Sequence, residues 1–351
     1  MSLRDSLRAN SPFLLVAGLY IAAALSAFTW AGLPLIRPWS YLSNALLYAA
    51  AAVFLLGPLY LYKLLRTRPE SPIAFGRDCA RDWLLRDRFL LAAPALVALI
   101  FFMPAFSAFK SAIPAFHAYS LDPLFIRMDE VLHGQDAWRL IHPIVGYPIV
   151  SFILNTVYHL WVALLYVAAL PVIGWVERPR LRMQFLLSYA LCWSLLGTLG
   201  AILTASVGPC FYEAFYGDDR FQPLMEYLAR ADASYPLMAL EVQQQLLLWA
   251  ADGSNGIGRG ISAMPSMHLS IASVFALLGW RISRTLGIAG TIFLVLILIG
   301  SVHLGYHYAI DGYVAIIATL AIWWLSGVVV KAIMPRDANA SASILWGGAC
   351  S

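Results

Sequence analysis

Long apolar runs, separated by short polar or basic segments, fill the chain almost from end to end. A charge-free apolar run of roughly 18 residues or more is typical of a helix that spans a membrane. Eight such runs are present: Pro12–Ile36, Tyr41–Tyr62, Phe89–Phe109, Ile144–Val176, Met183–Tyr212, Ile261–Trp280, Thr285–Val302 and Gly312–Val330. None of them alternates with the period of two that marks a strand of a membrane barrel. The pattern predicts an all-α, polytopic membrane helical bundle of about eight transmembrane helices.

The composition agrees with this fold class. Hydrophobic residues make up 61% of the chain and charged residues only 12%, whereas a soluble domain carries about 25% charged residues. These proportions exclude an ordinary soluble protein, a disordered chain and a nucleic-acid binder. The fourth and fifth runs are longer than a bilayer requires. Their helices can tilt, project from the membrane or begin with an interfacial segment, and Pro148 could mark such a break.

The distribution of basic residues predicts the orientation. With the N-terminus in the cytoplasm, 16 of the 23 lysines and arginines fall in inside segments, as the positive-inside rule requires. Both termini are then cytoplasmic, and two long segments, His117–Pro143 and Gly208–Gly260, lie on the extracytoplasmic side, which is a periplasm or a lumen. The first of these reads either as a short interfacial helix or as a surface loop. The few cysteines and the lack of a soluble domain favour a bacterial inner membrane.

The same pattern divides the chain into three parts. Residues 1–88 hold two N-terminal transmembrane helices and a basic cytoplasmic loop, residues 89–334 hold a six-helix core, and residues 335–351 form a cytoplasmic tail. The sequence makes no prediction of the oligomeric state.

Two polar clusters mark the outer side of this predicted core. In the first, Pro265, Ser266, Met267 and His268 begin the sixth apolar run. Proline suits the first turn of a helix, and we expect the free backbone amides there to bind an anion such as phosphate. His268 then has a proton to give beside that site. Simple capping of the helix at the interface is the alternative interpretation.

The second cluster contains His307 and Asp311, at the junction of the seventh and eighth runs. A spacing of four residues places the two side chains one above the other on a helix. The carboxylate can then accept a hydrogen bond from one imidazole nitrogen and leave the other free to attack. This is the logic of a catalytic triad with histidine as the nucleophile. No histidine or cysteine spacing typical of a metal site is present, so neither a metal nor a cofactor is predicted.

These residues resemble the type 2 phosphatidic acid phosphatase superfamily, which also includes vanadate haloperoxidases. Its signature is Lys-x6-Arg-Pro, then Pro-Ser-Gly-His, then Ser-Arg-x5-His-x3-Asp. The second motif matches with Met267 in place of glycine, and the third ends in His307 and Asp311. The signature arginines are absent, because Ser301 and His117 stand at their positions. The departures resemble the branch of the inositol phosphorylceramide synthases, and the resemblance covers roughly residues 89–330.

The resemblance implies a role for each residue. His307 is the nucleophile that takes the phosphoryl group as phosphohistidine, Asp311 orients it, and His268 protonates the leaving alkoxide. Positive charge and hydrogen-bond donors must surround the phosphorus, and the candidates for phosphate binding are Lys110, Ser266, Arg259 and His303. Arg259 reads equally well as a solvated loop charge, and His303 as a cap of the seventh helix.

The function predicted from this resemblance is a lipid phosphotransferase that acts on the extracytoplasmic face. It would move a phosphorylated headgroup from a phospholipid donor to a lipid or polyol acceptor, so its partners are lipid substrates and the membrane. The first alternative is a phosphatase of lipid phosphates or polyprenyl pyrophosphates with the same site. A non-catalytic transporter or scaffold is a remote alternative, since transporters are typically built from internal repeats and none is visible.

Overall fold

The computed structural model describes residues 1–34, 36–84, 87–252 and 259–334, so the predicted cytoplasmic tail lies outside the described residues. Throughout this part the chain is helical and contains no strand, which confirms the predicted all-α bundle. The helices are α1 Leu3–Trp30, α2 Pro38–Thr67, α3 Pro72–Leu84, α4 Asp87–Phe116, α5 Asp122–His133, α6 Ala137–Val145, α7 Pro148–Val167, α8 Ala169–Ile173, α9 Pro179–Leu191, α10 Ala201–Leu203, α11 Tyr212–Tyr216, α12 Gln222–Asp232, α13 Met238–Ala251, α14 Met267–Ile282, α15 Arg284–His303 and α16 Ala309–Ile333. A π-helix, Cys192–Gly200, joins α9 to α10, and a 3₁₀ turn, Pro209–Phe211, precedes α11.

Seven helical segments in the described residues are long and apolar enough to cross a membrane. They are Leu3–Trp30, Pro38–Thr67, Asp87–Phe116, Pro148–Ile173, Pro179–Leu203, Arg284–His303 and Ala309–Ile333. The break expected near Pro148 is present, because α6 ends at Val145 and α7 begins at that proline. The integral membrane character of the protein follows from these spans.

The sixth predicted span, Ile261–Trp280, differs from the observed helix. The helix α14 begins only at Met267 and has 16 residues. The residues before it are held elsewhere: the backbone N–H of Ala263 donates to the Ser206 carbonyl at 3.0 Å, and that of Met264 to Ser206 Oγ at 3.1 Å. The fifth predicted span, Met183–Tyr212, is also too long, because its helix stops at Leu203.

The chain forms two compact units. The first contains residues 1–104, 162–190 and the C-terminal segment from 325. Its core includes a buried guanidinium, that of Arg182, which donates to the Ile173 carbonyl at 2.6 Å, to the Leu91 carbonyl at 3.3 Å and to Asn10 Oδ1. The predicted domain boundary at residue 88 stays a prediction.

The second unit contains residues 105–161 and 191–324. The two amphipathic helices α5 and α6 fill the segment for which the sequence left a helix and a loop open. Both predicted polar clusters lie in this unit, as does Lys110 near the end of α4.

Candidate active site

His307 and Asp311 meet where the chain turns from α15 into α16. The Nδ1 atom of His307 lies 3.3 Å from Oδ2 of Asp311, and both side chains are buried. The same carboxylate oxygen accepts the backbone N–H of Tyr308 at 3.0 Å. Because α16 begins at Ala309, His307 precedes the helix instead of lying one turn along it. The contact orients the imidazole, and in the tautomer with the proton on Nδ1 the lone pair of Nε2 is the one that can attack.

His268 lies on α14 beside this pair. Its ring centroid is 6.1 Å from that of His307, and the two planes cross at 63°. The His268 ring also packs on Tyr158 at 4.3 Å and on Trp161 at 4.2 Å. His268 is partly exposed, whereas His307 is buried. A group bound between the two imidazoles can therefore exchange protons with one and bond to the other.

Lys110 is the lysine whose positive charge acts on both histidines. Burial first, and then this ammonium, lower the pKa of His307 to about 3, against the opposing effect of the Ala263 carbonyl. His307 is therefore neutral near pH 7, as a nucleophile must be. Gly260 packs against the Lys110 backbone at φ +88°, where a Cβ would come within 2.7 Å of the Lys110 carbonyl. This close approach requires glycine.

Ser266 is the N-cap residue of α14 and is fully buried. Its backbone N–H donates to the Asp311 carbonyl at 3.3 Å. The Ser266 amide is therefore not free for an anion, contrary to the expectation from the sequence, and it joins the two clusters instead. Its Oγ has no hydrogen-bond partner among the described residues and remains the group of Ser266 that can bind phosphate.

Two predicted phosphate ligands have side chains in contact with other groups. The guanidinium of Arg259 lies 4.6 Å above the ring centroid of Trp249. His303 is fully buried, with Nε2 2.8 Å from Ser151 Oγ and its ring 6.2 Å from that of His142. Arg259 therefore packs on Trp249, and His303 packs with Ser151 and His142.

Two more arginines of the second unit are engaged in ion pairs. Arg139 and Arg220 both pair with Asp136, at 3.4 Å and 2.8 Å. Within the described residues, no group of three or more histidine, cysteine, aspartate or glutamate side chains is arranged to hold a metal ion.

Residues 304–310 form the active loop, which carries His307 between α15 and the start of α16. Two buried carboxylates that the sequence did not single out, Asp122 and Asp129, bind this loop from other parts of the chain. Asp122 accepts the hydroxyl of Tyr308 at 2.9 Å and the backbone N–H groups of Val207 and Gly208. Asp129 accepts the backbone N–H groups of Ala309 and Ile310, which are the first two residues of α16. Acidic residues are rare in so apolar a chain, which suggests a specific role for these two, but their neighbours in sequence do not indicate their partners.

Comparison with known proteins places these residues in a family. No curated protein and no solved structure matches the chain significantly. The family model described as PAP2 superfamily matches residues 124–325, which is more than half of the chain. The matched region contains His268, His307 and Asp311, and Lys110 precedes it. The chain belongs to the PAP2 superfamily, which is the type 2 phosphatidic acid phosphatase superfamily that the sequence resembles.

Proposed function

We propose that the protein is an integral membrane lipid phosphotransferase that works through a phosphohistidine on His307. Members of this superfamily are typically phosphatases or phosphotransferases of lipid phosphates, which supports an enzyme of this kind. The observation that carries the proposal is the placement of His268 6.1 Å from a His307 that Asp311 orients.

In the first half-reaction, Nε2 of His307 attacks the phosphorus of a phospholipid. A bond forms between this nitrogen and phosphorus, and the bond from phosphorus to the diacylglycerol oxygen breaks. His268 gives its proton to the departing oxygen, so diacylglycerol leaves as a neutral alcohol. The headgroup stays on His307 through its phosphate, and Lys110 balances the charge that develops on the phosphoryl oxygens.

In the second half-reaction, His268 takes the proton of an acceptor alcohol. The acceptor oxygen then attacks phosphorus, the bond to His307 breaks, and the headgroup phosphate is attached to the new alcohol. Water in place of the alcohol gives a phosphatase. The partial exposure of His268 gives water a route to this position, so hydrolysis is the second candidate function.

Helix α13 packs over the active loop, and this favours transfer over hydrolysis. The hydroxyl of Tyr306 donates to the Ala239 carbonyl at 3.1 Å, and Gln243 donates to the Leu304 carbonyl at 2.8 Å. These contacts hold α13 on the loop that carries His307, and a cover of this kind helps to exclude water. The resemblance to the inositol phosphorylceramide synthase branch also favours an inositol-phosphate donor and a sphingolipid-type acceptor.

The decisive experiment uses the purified full-length protein in detergent with a panel of phospholipids, each with and without candidate alcohols. We expect a new lipid that depends on the acceptor, together with released diacylglycerol. Free phosphate from a phosphomonoester would instead support the phosphatase. A His307→Ala variant that retained either activity in full would exclude the proposed nucleophile.

The active site is proposed to face the periplasm or lumen, and a labelling experiment tests this. A single cysteine introduced at Tyr306, in a chain without other accessible cysteines, should react with an impermeant reagent only from the extracytoplasmic side. Lys331, at the other end of α16, offers the matched control position, which should react only from the cytoplasm. The reverse pattern would overturn the proposed orientation.

A further inference from the structure

Two aromatic residues of α7 lie directly against His268, one of the proposed catalytic histidines. The ring of Tyr158 stacks on His268 with an angle of 18° between planes, and the indole of Trp161 packs on the same imidazole. Tyr158 also stacks on Tyr306 at 5.1 Å with an angle of 7°. The sequence motifs do not point to either residue.

Both residues carry a buried polar atom that makes no hydrogen bond to the described residues. The Tyr158 hydroxyl and the Trp161 indole N–H have no hydrogen-bond partner among the described residues, and their side chains are only 3% and 6% exposed. The hydroxyl of Ser266, two residues before His268, is also buried and without a hydrogen-bond partner among the described residues.

A buried donor without a partner costs about 1–3 kcal/mol, and such groups usually mark a bound ligand or ordered water. Two of them belong to rings packed on His268 and the third to a residue two positions before it, so we expect a ligand there that is rich in acceptors. The non-bridging oxygens of a phosphoryl group are acceptors of this kind.

The charge around the site limits which phosphoryl group fits. Lys110 is the cation whose charge acts on both His268 and His307. Arg139 and Arg220 pair with Asp136, and Arg259, which stacks on Trp249, does not act on either histidine. A phosphodiester carries a single negative charge, but a phosphomonoester carries about −1.5 to −2 at pH 7. Because an uncompensated buried charge is costly, a site whose permanent charge is the Lys110 ammonium matches the diester better, since the proton of His268 leaves with the diacylglycerol.

We propose that Tyr158 and Trp161 are phosphoryl-binding residues. They donate neutral hydrogen bonds in place of the charged ones that the two absent signature arginines would donate, and they make the site selective for phosphodiesters. The inference deepens the proposed function, on which it rests: it selects the headgroup-bearing phospholipid as donor over a lipid phosphomonoester. It also makes the polar atoms of α7 part of the site.

Binding to an inactive variant tests this without catalysis. In His307→Asn, the binding of dioctanoyl phosphatidylinositol, a diester, is compared by calorimetry with that of dioctanoyl phosphatidic acid, a monoester with the same chains. We expect the diester to bind roughly 10-fold more tightly, and Trp161→Phe or Tyr158→Phe to weaken it roughly 10-fold. Equal binding of the two lipids would overturn the selectivity.

The structure supplies matched controls for both substitutions. Trp138 and Tyr48 also carry buried polar atoms without partners among the described residues. Their rings contact Arg139, His142 and Tyr166 and not His268. Trp138→Phe and Tyr48→Phe should leave binding unchanged. If Trp161→Phe and Tyr158→Phe behave like these controls, the two donors do not bind the phosphoryl group.

The two proposals fail in different experiments. Diester binding that depends on Trp161, in a wild-type protein that transfers no headgroup, would reject the transferase and keep the binding site. Headgroup transfer that is unaffected by Trp161→Phe and Tyr158→Phe would reject the binding site and keep the transferase.

Discussion

Oδ2 of Asp129 accepts a hydrogen bond from the backbone N–H of Ala309 at 2.8 Å, across 180 residues of sequence. The other oxygen of the same carboxylate accepts the N–H of Ile310 at 2.9 Å. A helix begins with unpaired N–H groups and a partial positive charge. At the start of α16, the Asp129 carboxylate accepts two of these N–H groups and lies beside the positive end of the helix. This helix carries Asp311 in its first turn. Asp129 is thus in a position to set the geometry of the His307–Asp311 pair from a different helix.

Asp129→Asn should therefore damage activity as well as stability. The amide has one oxygen, so either Ala309 or Ile310 loses its acceptor, at about 1–3 kcal/mol. We expect a lower unfolding temperature in detergent and a fall in kcat larger than the change in KM, because the pair is misaligned. Glu226→Gln, at a residue that is more than half exposed, is the control. A loss of stability with normal kcat would show that Asp129 is structural only.

The sequence predicted the membrane helices well because their length and apolar character are local properties. It failed at residues 261–266, since the backbone amides of Ala263 and Met264 bond to Ser206, nearly 60 residues away. It also named His303 as a candidate for phosphate binding beside His307. The chain leaves the helix between them, with Gly305 at φ +76°, and His303 contacts Ser151. Asp122 and Asp129 were missed for the same reason, because their partners are remote.

Acid should destabilise the protein through His307. Burial and Lys110 lower the pKa of His307 from 6.5 to about 3. Between these values the unfolded chain binds the proton and the folded chain does not, so stability falls as the pH falls. We expect the unfolding temperature to drop more steeply from pH 6.5 to 4 in the wild type than in His307→Gln. His117→Gln, at an exposed histidine, should keep the wild-type slope, and equal slopes in all three proteins would contradict the assignment.

Arg182→Met should destabilise the first unit without altering the chemistry. The substitution keeps much of the apolar stem but leaves the Ile173 carbonyl and Asn10 Oδ1 without their buried donor. We expect a loss of about 2–4 kcal/mol, typical of a broken buried polar network, seen as a lower unfolding temperature. Since the proposed catalytic residues lie in the other unit, kcat per folded molecule should stay the same. Arg66→Met, at an exposed arginine, is the control for expression and folding.

Lys110→Met should abolish most of the activity, because it removes the ammonium that acts on both histidines. Loss of one group that stabilises a transition-state oxyanion costs roughly 10²–10³ in rate, so we expect a fall of that order in kcat/KM. Lys110→Arg should recover part of it, since the charge returns with a different shape. The pKa of His307 should rise in Lys110→Met, measured by NMR of the imidazole, because Lys110 lowers it in the wild type.

The control for this pair is Lys331→Met, which removes an exposed charge at the far end of α16 and should leave both kcat/KM and the pKa of His307 unchanged. The two readouts separate the possible roles of Lys110. A reduced rate with an unchanged pKa of His307 would mean that the ammonium meets only the substrate. A wild-type rate in Lys110→Met would show that Lys110 does not stabilise the phosphoryl group. Neutral hydrogen-bond donors would then be the groups that stabilise it.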